Sequence, residues 1–236
     1  MDLNNLKSDL QRFSDKKKAK ILQRFFKTGK GEYGEGDIFR GIVVPKQREI
    51  AKKYFELPLS ELNKLIKSKI HEERLTALLI LTYKCDKIKN ETIKKEIYDF
   101  YLSNTNYINN WDLVDLSAPK IIGNYLLEHN DEKNILYSLS KSNNLWEKRI
   151  SILATFPFIK AGEYADSIKL AEIFLNEKHD LMHKAVGWML REVGKKDEKV
   201  LIIFLDKHYK EMPRTMLRYS IEKFNEKKRK YYLALK

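Results

Sequence analysis

The stretch Leu75-Thr76-Ala77-Leu78-Leu79-Ile80-Leu81-Thr82 has the spacing that decides the fold class. Four of its residues lie three or four positions apart, so they form one stripe along a helix: Leu75, Leu78, Leu79 and Thr82. Stripes of the same kind follow: Ile93, Ile97, Phe100 and Tyr101; Ile121, Tyr125 and Leu126; Ile150, Leu153, Ala154 and Pro157; Leu201, Phe204, Leu205 and His208. Strand-like alternation is nearly absent, with Ile42-Val43-Val44 as the only short candidate. The spacing predicts an all-α protein.

Helix-interrupting residues separate these stripes at short intervals. They are Pro58, Asn90, Pro119, Asn130, Asn143, Asn144, Gly162, Asp180, Gly194 and Pro213. Because proline is favoured in the first turn of a helix, we expect helices to begin near Pro119 and Pro213. Successive helix pairs begin about every 35 to 40 residues, near the HEAT and armadillo period, so either a compact bundle or an α-solenoid fits. No interior linker suggests a second domain, and residues 1–236 are predicted to form a single domain.

The composition favours a polyanionic partner. The chain has 46 Lys and Arg against 33 Asp and Glu, a formal charge of +13, which suits nucleic acid or an anionic surface. A lysine-rich proteome would give the same excess. No apolar run approaches the roughly 20 residues of a membrane span, and the N-terminus lacks the apolar region of a signal peptide. Cys85, the only cysteine, can form no intramolecular disulfide and is expected to be buried, which fits a reducing cytoplasm.

Two further segments have uncertain roles. Lys27–Asp37 holds four of the nine glycines and matches no Walker loop, so we interpret it as a connection between the first helix and the next, with a ligand contact as the alternative. His179-Asp180-Leu181-Met182-His183 is similar to the zinc-protease pattern but has Asp where Glu acts as base, and no third ligand follows. Asp180 also fits a helix cap, which would leave His179 outside the helix. We therefore predict neither a metal nor another cofactor.

All three tryptophans lie beside charged residues, in segments 110–115, 144–149 and 185–192. In Asn110-Trp111-Asp112-Leu113-Val114-Asp115, helical spacing places Trp111 and Asp115 on one face, one turn apart. Asp112 lies off that face and is expected to tolerate replacement. The alternative is that the tryptophans pack between helices while Asp115 and Arg149 pair as ions.

Segment 110–115, with Pro119 soon after, resembles the active-site segment of the AlkD-type DNA glycosylases, HEAT-like-repeat enzymes that excise alkylated purines. Segment 144–149 resembles their next basic segment, and segment 185–192 is similar to a third. The three occur in the family's order and spacing, over most of the chain. The resemblance implies an α-α superhelix of degenerate HEAT-like repeats. It also implies that the partner is double-stranded DNA containing alkylated bases. From the single cysteine and the lack of a long apolar run we expect a cytoplasmic protein with no membrane partner, and a monomer is the simplest expectation for a solenoid that embraces duplex DNA.

The resemblance also implies the roles of five residues. Asp115 would be the catalytic carboxylate, and Trp111 and Trp188 would flank the lesion-bearing deoxyribose. Arg149 matches a phosphate contact, and Arg191, one turn from Trp188 on the same face, is assigned to DNA binding. Trp146 has no role to carry over and is expected to pack inside the protein.

The N-terminal part departs from the family pattern. The turn Gly41-Ile42-Val43-Val44-Pro45 has apolar Val43 where active members have a polar residue, and Tyr33 or Phe39 would have to supply their nearby aromatic ring. An N3- or N7-alkylated purine is already cationic, so an anion that stabilises the oxocarbenium-like sugar suffices for catalysis. With no lysine in the predicted site, the resemblance implies a monofunctional hydrolase. Two alternatives remain: a non-catalytic HEAT-like protein that binds damaged or branched DNA, and a protein-interaction scaffold.

Overall fold

The computed structural model describes residues 2–234, which are all-α as predicted and contain no β-strand. The only strand-like feature of these residues is an isolated parallel bridge between Ile38 and Ile70. The strand candidate Ile42-Val43-Val44 is therefore wrong, because Val43 has extended backbone only as the cap of a helix that begins at Val44. No helix in residues 2–234 is long and apolar enough to cross a membrane.

Clustering of the backbone divides the chain into two compact units, residues 1–121 (unit 1) and 122–236 (unit 2). One domain over residues 1–236 stays a prediction. The helices of unit 1 are α1 (Leu3–Arg12), α2 (Lys16–Phe25), α3 (Val44–Lys53), α4 (Leu59–Ile66), α5 (His71–Lys87), α6 (Glu91–Ser103) and α7 (Trp111–Ala118). Those of unit 2 are α8 (Asn124–Glu128), α9 (Asn134–Ser140), α10 (Leu145–Leu153), α11 (Phe156–Ala161), α12 (Ala165–Ile173), α13 (Asp180–Lys196), α14 (Glu198–His208), α15 (Arg214–Ser220) and α16 (Glu226–Ala234).

Unit 1 is built around α5, which packs against α3, α4, α6 and α7. Every residue from His71 to Thr82 is buried, so the first three turns of α5 are surrounded on all sides. The predicted stripe from Leu75 to Thr82 is buried as expected, but the residues between its members are buried as well, so the buried surface of α5 is wider than predicted. Charged residues of the first turn are enclosed with the apolar ones, and their charges must be satisfied inside the protein.

Unit 2 is built around α13, which packs against α10, α11, α12, α14 and α15. Gly187 allows α15 to approach α13 closely, because a Cβ there would lie 2.6 Å from the carbonyl oxygen of Met216 on α15. Gly194 was predicted to end a helix, which is wrong. It lies inside α13, where its missing side chain makes room for Leu201 of α14.

The two proline predictions have different outcomes. Pro213 is the N-cap of α15, as expected. Pro119 begins a helix, but not an α-helix: α7 ends at Ala118, and Pro119–Gly123 forms a π-helix. Since proline has no N–H to donate to the carbonyl four residues back, the regular α-helical hydrogen bonding is interrupted there.

Candidate active site

Helix α7 has one anchored face and one partly open face. Leu113, Val114, Ser117 and Ala118 are buried, whereas Trp111 and Asp115 are both half-buried on the outer face. Asn110 caps the helix by accepting the N–H of Trp111 at 2.8 Å through its side-chain oxygen. The burial pattern thus agrees with the helical register assumed from the sequence, in which Trp111 and Asp115 share a face.

Tyr101 of α6 anchors the buried face of α7. Its hydroxyl lies 2.9 Å from the Ser117 hydroxyl, which in turn donates to the carbonyl of Leu113. A serine hydroxyl has one proton, so Tyr101 must donate to Ser117. Burial raises the pKa of Tyr101 well above its ordinary value, and the Asp115 carboxylate raises this pKa further. Tyr101 is therefore a permanent donor that fixes α7 from beneath.

A column of aromatic rings packs against Trp111 at the start of α7. The indole stacks on Phe26 at a centroid distance of 5.2 Å and meets Phe25 edge-on at 6.0 Å. Phe26 stacks on Phe39 at 4.9 Å, and Phe39 stacks on the imidazole of His71 at 4.4 Å. Phe39 is buried and belongs to this column, whereas Phe25 is 60% exposed beside Trp111. The exposed ring beside Trp111 is thus Phe25, and an aromatic residue near the lesion from Tyr33 or Phe39 stays a prediction.

Buried charged groups lie at the base of this column. The Nδ1 atom of His71 lies 2.9 Å from Asp37 Oδ2, and its Nε2 atom lies 2.8 Å from Asp112 Oδ2. Arg74 donates to Asp37 Oδ1 at 2.6 Å. The sequence led us to expect that Asp112 tolerates replacement, and its contact with His71 argues against that expectation. Asp112 is bound to α5, because its side chain points down the start of α7 towards His71.

The glycine-rich segment Lys27–Asp37 connects α2 to α3, not the first helix to the next as predicted. The segment ends at Asp37, whose carboxylate also accepts a hydrogen bond from the Asn110 side chain at 3.3 Å. Gly34 is required where the segment passes over Phe26, since a Cβ would lie 2.4 Å from the Phe26 carbonyl oxygen. The segment thus contributes to the cluster beneath α7.

The Gly-Ile-x-x-Pro turn is held by Glu72 of α5. The Glu72 carboxylate accepts the backbone N–H groups of Arg40, Gly41 and Ile42 at 2.8–3.2 Å. Gly41 has φ +81° and leaves no room for a Cβ, which would lie 2.2 Å from the Asp15 carbonyl oxygen. Val43 follows with 42% of its surface exposed, so the turn presents an apolar side chain to solvent.

A cavity of about 380 Å³ opens between α2, this turn and α5. Its walls are mostly aliphatic, and the rings of Phe26, Phe39 and His71, together with Asp112, contribute to its lining. The cavity lies next to the ring column that supports Trp111.

In unit 2, Arg149 connects α10 to α13. It is 5% exposed and donates to the carbonyl of Leu181 in the first turn of α13. Trp188, on the same helix, is half-buried, and its ring centroid lies 6.1 Å from that of Phe156. The Lys160 ammonium sits 4.5 Å above the Phe156 ring. Trp188 therefore lies in a partly exposed aromatic and basic setting.

Arg191 lies one turn beyond Trp188 and pairs with two carboxylates. One of its nitrogens bonds Glu222, and another lies 3.4 Å from Glu192. Its side chain is 19% exposed. Trp146 is buried, which agrees with the packing role expected for it.

The remaining candidates have ordinary structural surroundings. His179, not Asp180, is the N-cap of α13, and its Nδ1 atom accepts the N–H of Leu181 at 3.1 Å. His183 donates from Nε2 to the carbonyl of Glu177 at 2.6 Å. The histidines therefore serve the start of α13. Cys85 is half-buried rather than fully buried, and desolvation raises the pKa of its thiol to about 12.

Comparison with known proteins identifies the family. The family model described as DNA alkylation repair enzyme matches residues 6–224. The chain belongs to this family. The resemblance found in the three tryptophan segments is thereby confirmed, and membership of a DNA alkylation repair family makes DNA the expected partner. No curated protein matches the chain.

Solved structures share the fold at low sequence identity. A structure described as a predicted DNA alkylation repair enzyme from Enterococcus faecalis has a TM-score of 0.70 and 15% identity, covering 90% of this chain and 97% of its own. AlkD2 from Streptococcus mutans has a TM-score of 0.57 and 16% identity, with 89% and 99% covered. The protein smu.31 from Streptococcus mutans UA159 has a TM-score of 0.56 and 18% identity, with 78% and 93% covered.

For this member of the DNA alkylation repair enzyme family, the sequence did not reveal the groups beneath α7. Asp37, His71 and Arg74 look like ordinary polar residues of a basic chain, and their partners lie 34 or more positions away. Phe25 and Phe26 carried one signal, two adjacent aromatic residues at the end of a lysine-rich helix, but nothing in the spacing connects them to Trp111.

Proposed function

We propose that this chain is a monofunctional DNA glycosylase that hydrolyses the N-glycosidic bond of cationic N3- and N7-alkylated purines in duplex DNA. The observation that carries the proposal is the outer face of α7, where Trp111 and Asp115 are both partly accessible on a helix whose inner face is fixed by Tyr101 and Ser117. Membership of the DNA alkylation repair enzyme family supports this choice over other carboxylate chemistry.

Release of an already cationic base requires a nearby anion rather than a general acid. As the bond between C1′ and the purine nitrogen breaks, its electron pair neutralises the cationic base, and positive charge develops on the sugar. Asp115 would stabilise that charge more strongly in the transition state than in the ground state. Water then adds its oxygen to C1′ and gives a proton to the Asp115 carboxylate, leaving an abasic site and the free base.

The tryptophans would add to this stabilisation. The faces of Trp111 and Trp188 attract positive charge, with about 0.5–2 kcal/mol for each favourable cation–π contact. The orientation of Trp111 is set by Phe26 and Phe25, which supports a role that depends on the direction of the ring. For Trp188 the support is the resemblance of segment 185–192 and its partial exposure beside Phe156.

We propose Arg149 and Arg191 as DNA contacts on the same resemblance. Arg191 is partly exposed and would exchange a carboxylate partner for a phosphate. Arg149 is almost fully buried, so a phosphate contact there would require the guanidinium to keep its bond to Leu181 while it presents an edge to DNA. The charge of +13 supports a general attraction to duplex DNA.

Base release from methylated duplex DNA tests the proposal. We expect free 7-methylguanine or 3-methyladenine in the supernatant, abasic sites in the DNA, and no borohydride-trapped protein–DNA adduct. A trapped adduct would contradict hydrolysis without a Schiff base. Salt-dependent DNA binding without base release would instead support the non-catalytic alternative, and absence of both would support a scaffold.

A further inference from the structure

We infer that buried His71 is a positioning residue: held as an imidazolium, it fixes the first turn of α7 and thereby the orientation of Trp111 and Asp115. The structural part stands on the contacts beneath α7, and the catalytic part rests on the proposed function.

The hydrogen bonds of His71 require two ring protons. Each ring nitrogen lies closest to a carboxylate oxygen, Asp37 at 2.9 Å and Asp112 at 2.8 Å, and an Arg74 nitrogen is farther from Nδ1, at 3.5 Å. An ionised carboxylate only accepts, so each nitrogen must carry a hydrogen, and a ring with both hydrogens is a cation. A neutral imidazole would place two lone pairs against each other at one of these short contacts.

Charge balance leads to the same protonation state. His71, Asp37 and Arg74 are each at most 5% exposed. The two anions Asp37 and Asp112 are balanced by Arg74 only if His71 supplies a second positive charge. A neutral His71 would leave an uncompensated negative charge in a buried cluster, which is costly.

The other charged groups near His71 do not alter this balance. On α5, Glu72 is satisfied by three backbone N–H groups, and Glu73 pairs with Arg40 and Lys7. On α2, Lys18 lines the cavity that His71 also borders. Burial and the charge of Arg74 would lower the pKa of His71, but the charge of Asp112 and the hydrogen bonds to both carboxylates outweigh them, and the pKa is raised.

Two connections lead from His71 to Trp111. The first is polar: the residues on either side of Trp111 are both tied to the cluster, Asn110 through Asp37 and Asp112 through His71. The second is the ring column, in which Phe39 stacks on His71 and Phe26 lies between Phe39 and Trp111. Loss of a His71 proton would weaken the polar connection at Asp112, which lies one residue after Trp111 and three residues before Asp115.

Imidazole and indole nitrogen-15 NMR of the intact protein tests the inference without a disruptive variant. We expect both ring nitrogens of His71 to be protonated at neutral pH. We also expect the Trp111 indole resonance, identified by its loss in Trp111→Phe, to shift with the same midpoint as His71 when pH is raised. A neutral tautomer at pH near 7, or a Trp111 resonance that does not follow His71, overturns the inference.

Variants then separate positioning from binding. His71→Gln keeps a donor and removes the charge, Asp112→Asn keeps the imidazole and an accepting oxygen but removes the negative charge of the partner, and His129→Gln in unit 2 is the matched control. The first two should displace the Trp111 resonance and lower the base-excision rate about 10- to 100-fold with DNA affinity nearly unchanged. The control should do neither. If wild type releases no base, the proposed function fails, and the NMR titration still decides the role of His71.

Discussion

At the scale of single residues, Asp115 and Asp112 are separated by less than one helical turn but have different surroundings. Asp115 faces outward beside Trp111, and its replacement by Asn would remove the charge that opposes the oxocarbenium ion while keeping the size. We expect Asp115→Asn to reduce base excision about 10²–10³-fold, or about 3–4 kcal/mol, with binding to undamaged DNA preserved. Single-turnover release of 7-methylguanine measures the change.

The control for this experiment must be another carboxylate than Asp112, because Asp112 is bound to His71. Asp99 on α6 is 57% exposed and pairs only on the surface, with Lys95. Asp99→Asn should therefore leave the excision rate unchanged. Equal loss in Asp99→Asn and Asp115→Asn would show that the net charge of the protein, not the position of Asp115, governs the rate.

Arg149 joins α10 to α13 and is also a proposed phosphate contact. Arg149→Ala should lower the free energy of unfolding by about 1–3 kcal/mol, because the carbonyl of Leu181 loses a buried donor. If Arg149 also meets a phosphate, the slope of log K against log salt should fall by about one. Denaturant unfolding and salt-dependent DNA binding measure the two effects.

Exposed Arg48 on α3 provides the comparison for stability. Arg48→Ala removes the same charge and should change the free energy of unfolding by less than about 0.5 kcal/mol. A destabilised Arg149→Ala with an unchanged salt slope would assign Arg149 to a purely structural role.

At the scale of secondary-structure elements, the packing of α13 against α15 depends on Gly187. A Cβ at Gly187 would lie 2.6 Å from the backbone oxygen of Met216, which cannot move without moving α15. Gly187→Ala should therefore cost about 1–3 kcal/mol of stability, measured by denaturant unfolding.

Gly194 on the same helix is the natural comparison. There the added Cβ would approach the end of the Leu201 side chain at 2.3 Å, which can rotate, and alanine gains about 1 kcal/mol in helix propensity over glycine. Gly194→Ala should thus cost less than Gly187→Ala. The reverse order would mean that α15 yields more easily than the core around Leu201.

The helices also show which structural features could be predicted from sequence patterns. Helical spacing predicted α5 and the partly open face of α7 because both follow from local periodicity. The same reasoning failed at Gly194, where tertiary packing overrides residue preference and α13 continues through a glycine whose missing side chain makes room for α14. At Pro119 it did not predict that the helix is a π-helix. Local preference cannot show which neighbour will occupy the space.

In the candidate site, too, sequence patterns indicated some residues and missed others. Trp111 and Asp115 were predictable because they lie one turn apart and match a family motif. Asp37, His71 and Arg74 were not, because burial of a charge depends on a partner distant in sequence. A first turn reading His71-Glu72-Glu73-Arg74 is normally a solvated helix start, and here it is enclosed.

At the scale of the whole molecule, this enclosed cluster should shape stability against pH. Burial would raise the pKa of Asp37, but the hydrogen bond from His71 and the charge of Arg74 lower it below the ordinary value of 3.8. Its stabilising contribution is therefore present above that value and lost as pH falls through the lower folded-state pKa. The raised pKa of His71 acts oppositely: its contribution is complete below 6.5 and is lost as pH rises through the folded-state pKa.

We therefore expect Asp37→Asn to flatten the acid side of the stability curve, measured by denaturant unfolding from about pH 2 to about pH 9. Surface Asp131→Asn serves as control and should leave the shape unchanged. An acid side that is equally steep in wild type and Asp37→Asn would mean that other carboxylates dominate acid unfolding.

The Glu72 carboxylate has a consequence for the order in which the chain assembles. The amide hydrogens of Arg40, Gly41 and Ile42 have a common acceptor on another helix. These three N–H groups of the turn before α3 therefore gain their carboxylate acceptor only when the first turn of α5, some thirty residues later in the sequence, has formed. These amides should become protected from solvent exchange together and late, as one cooperative unit with the start of α5.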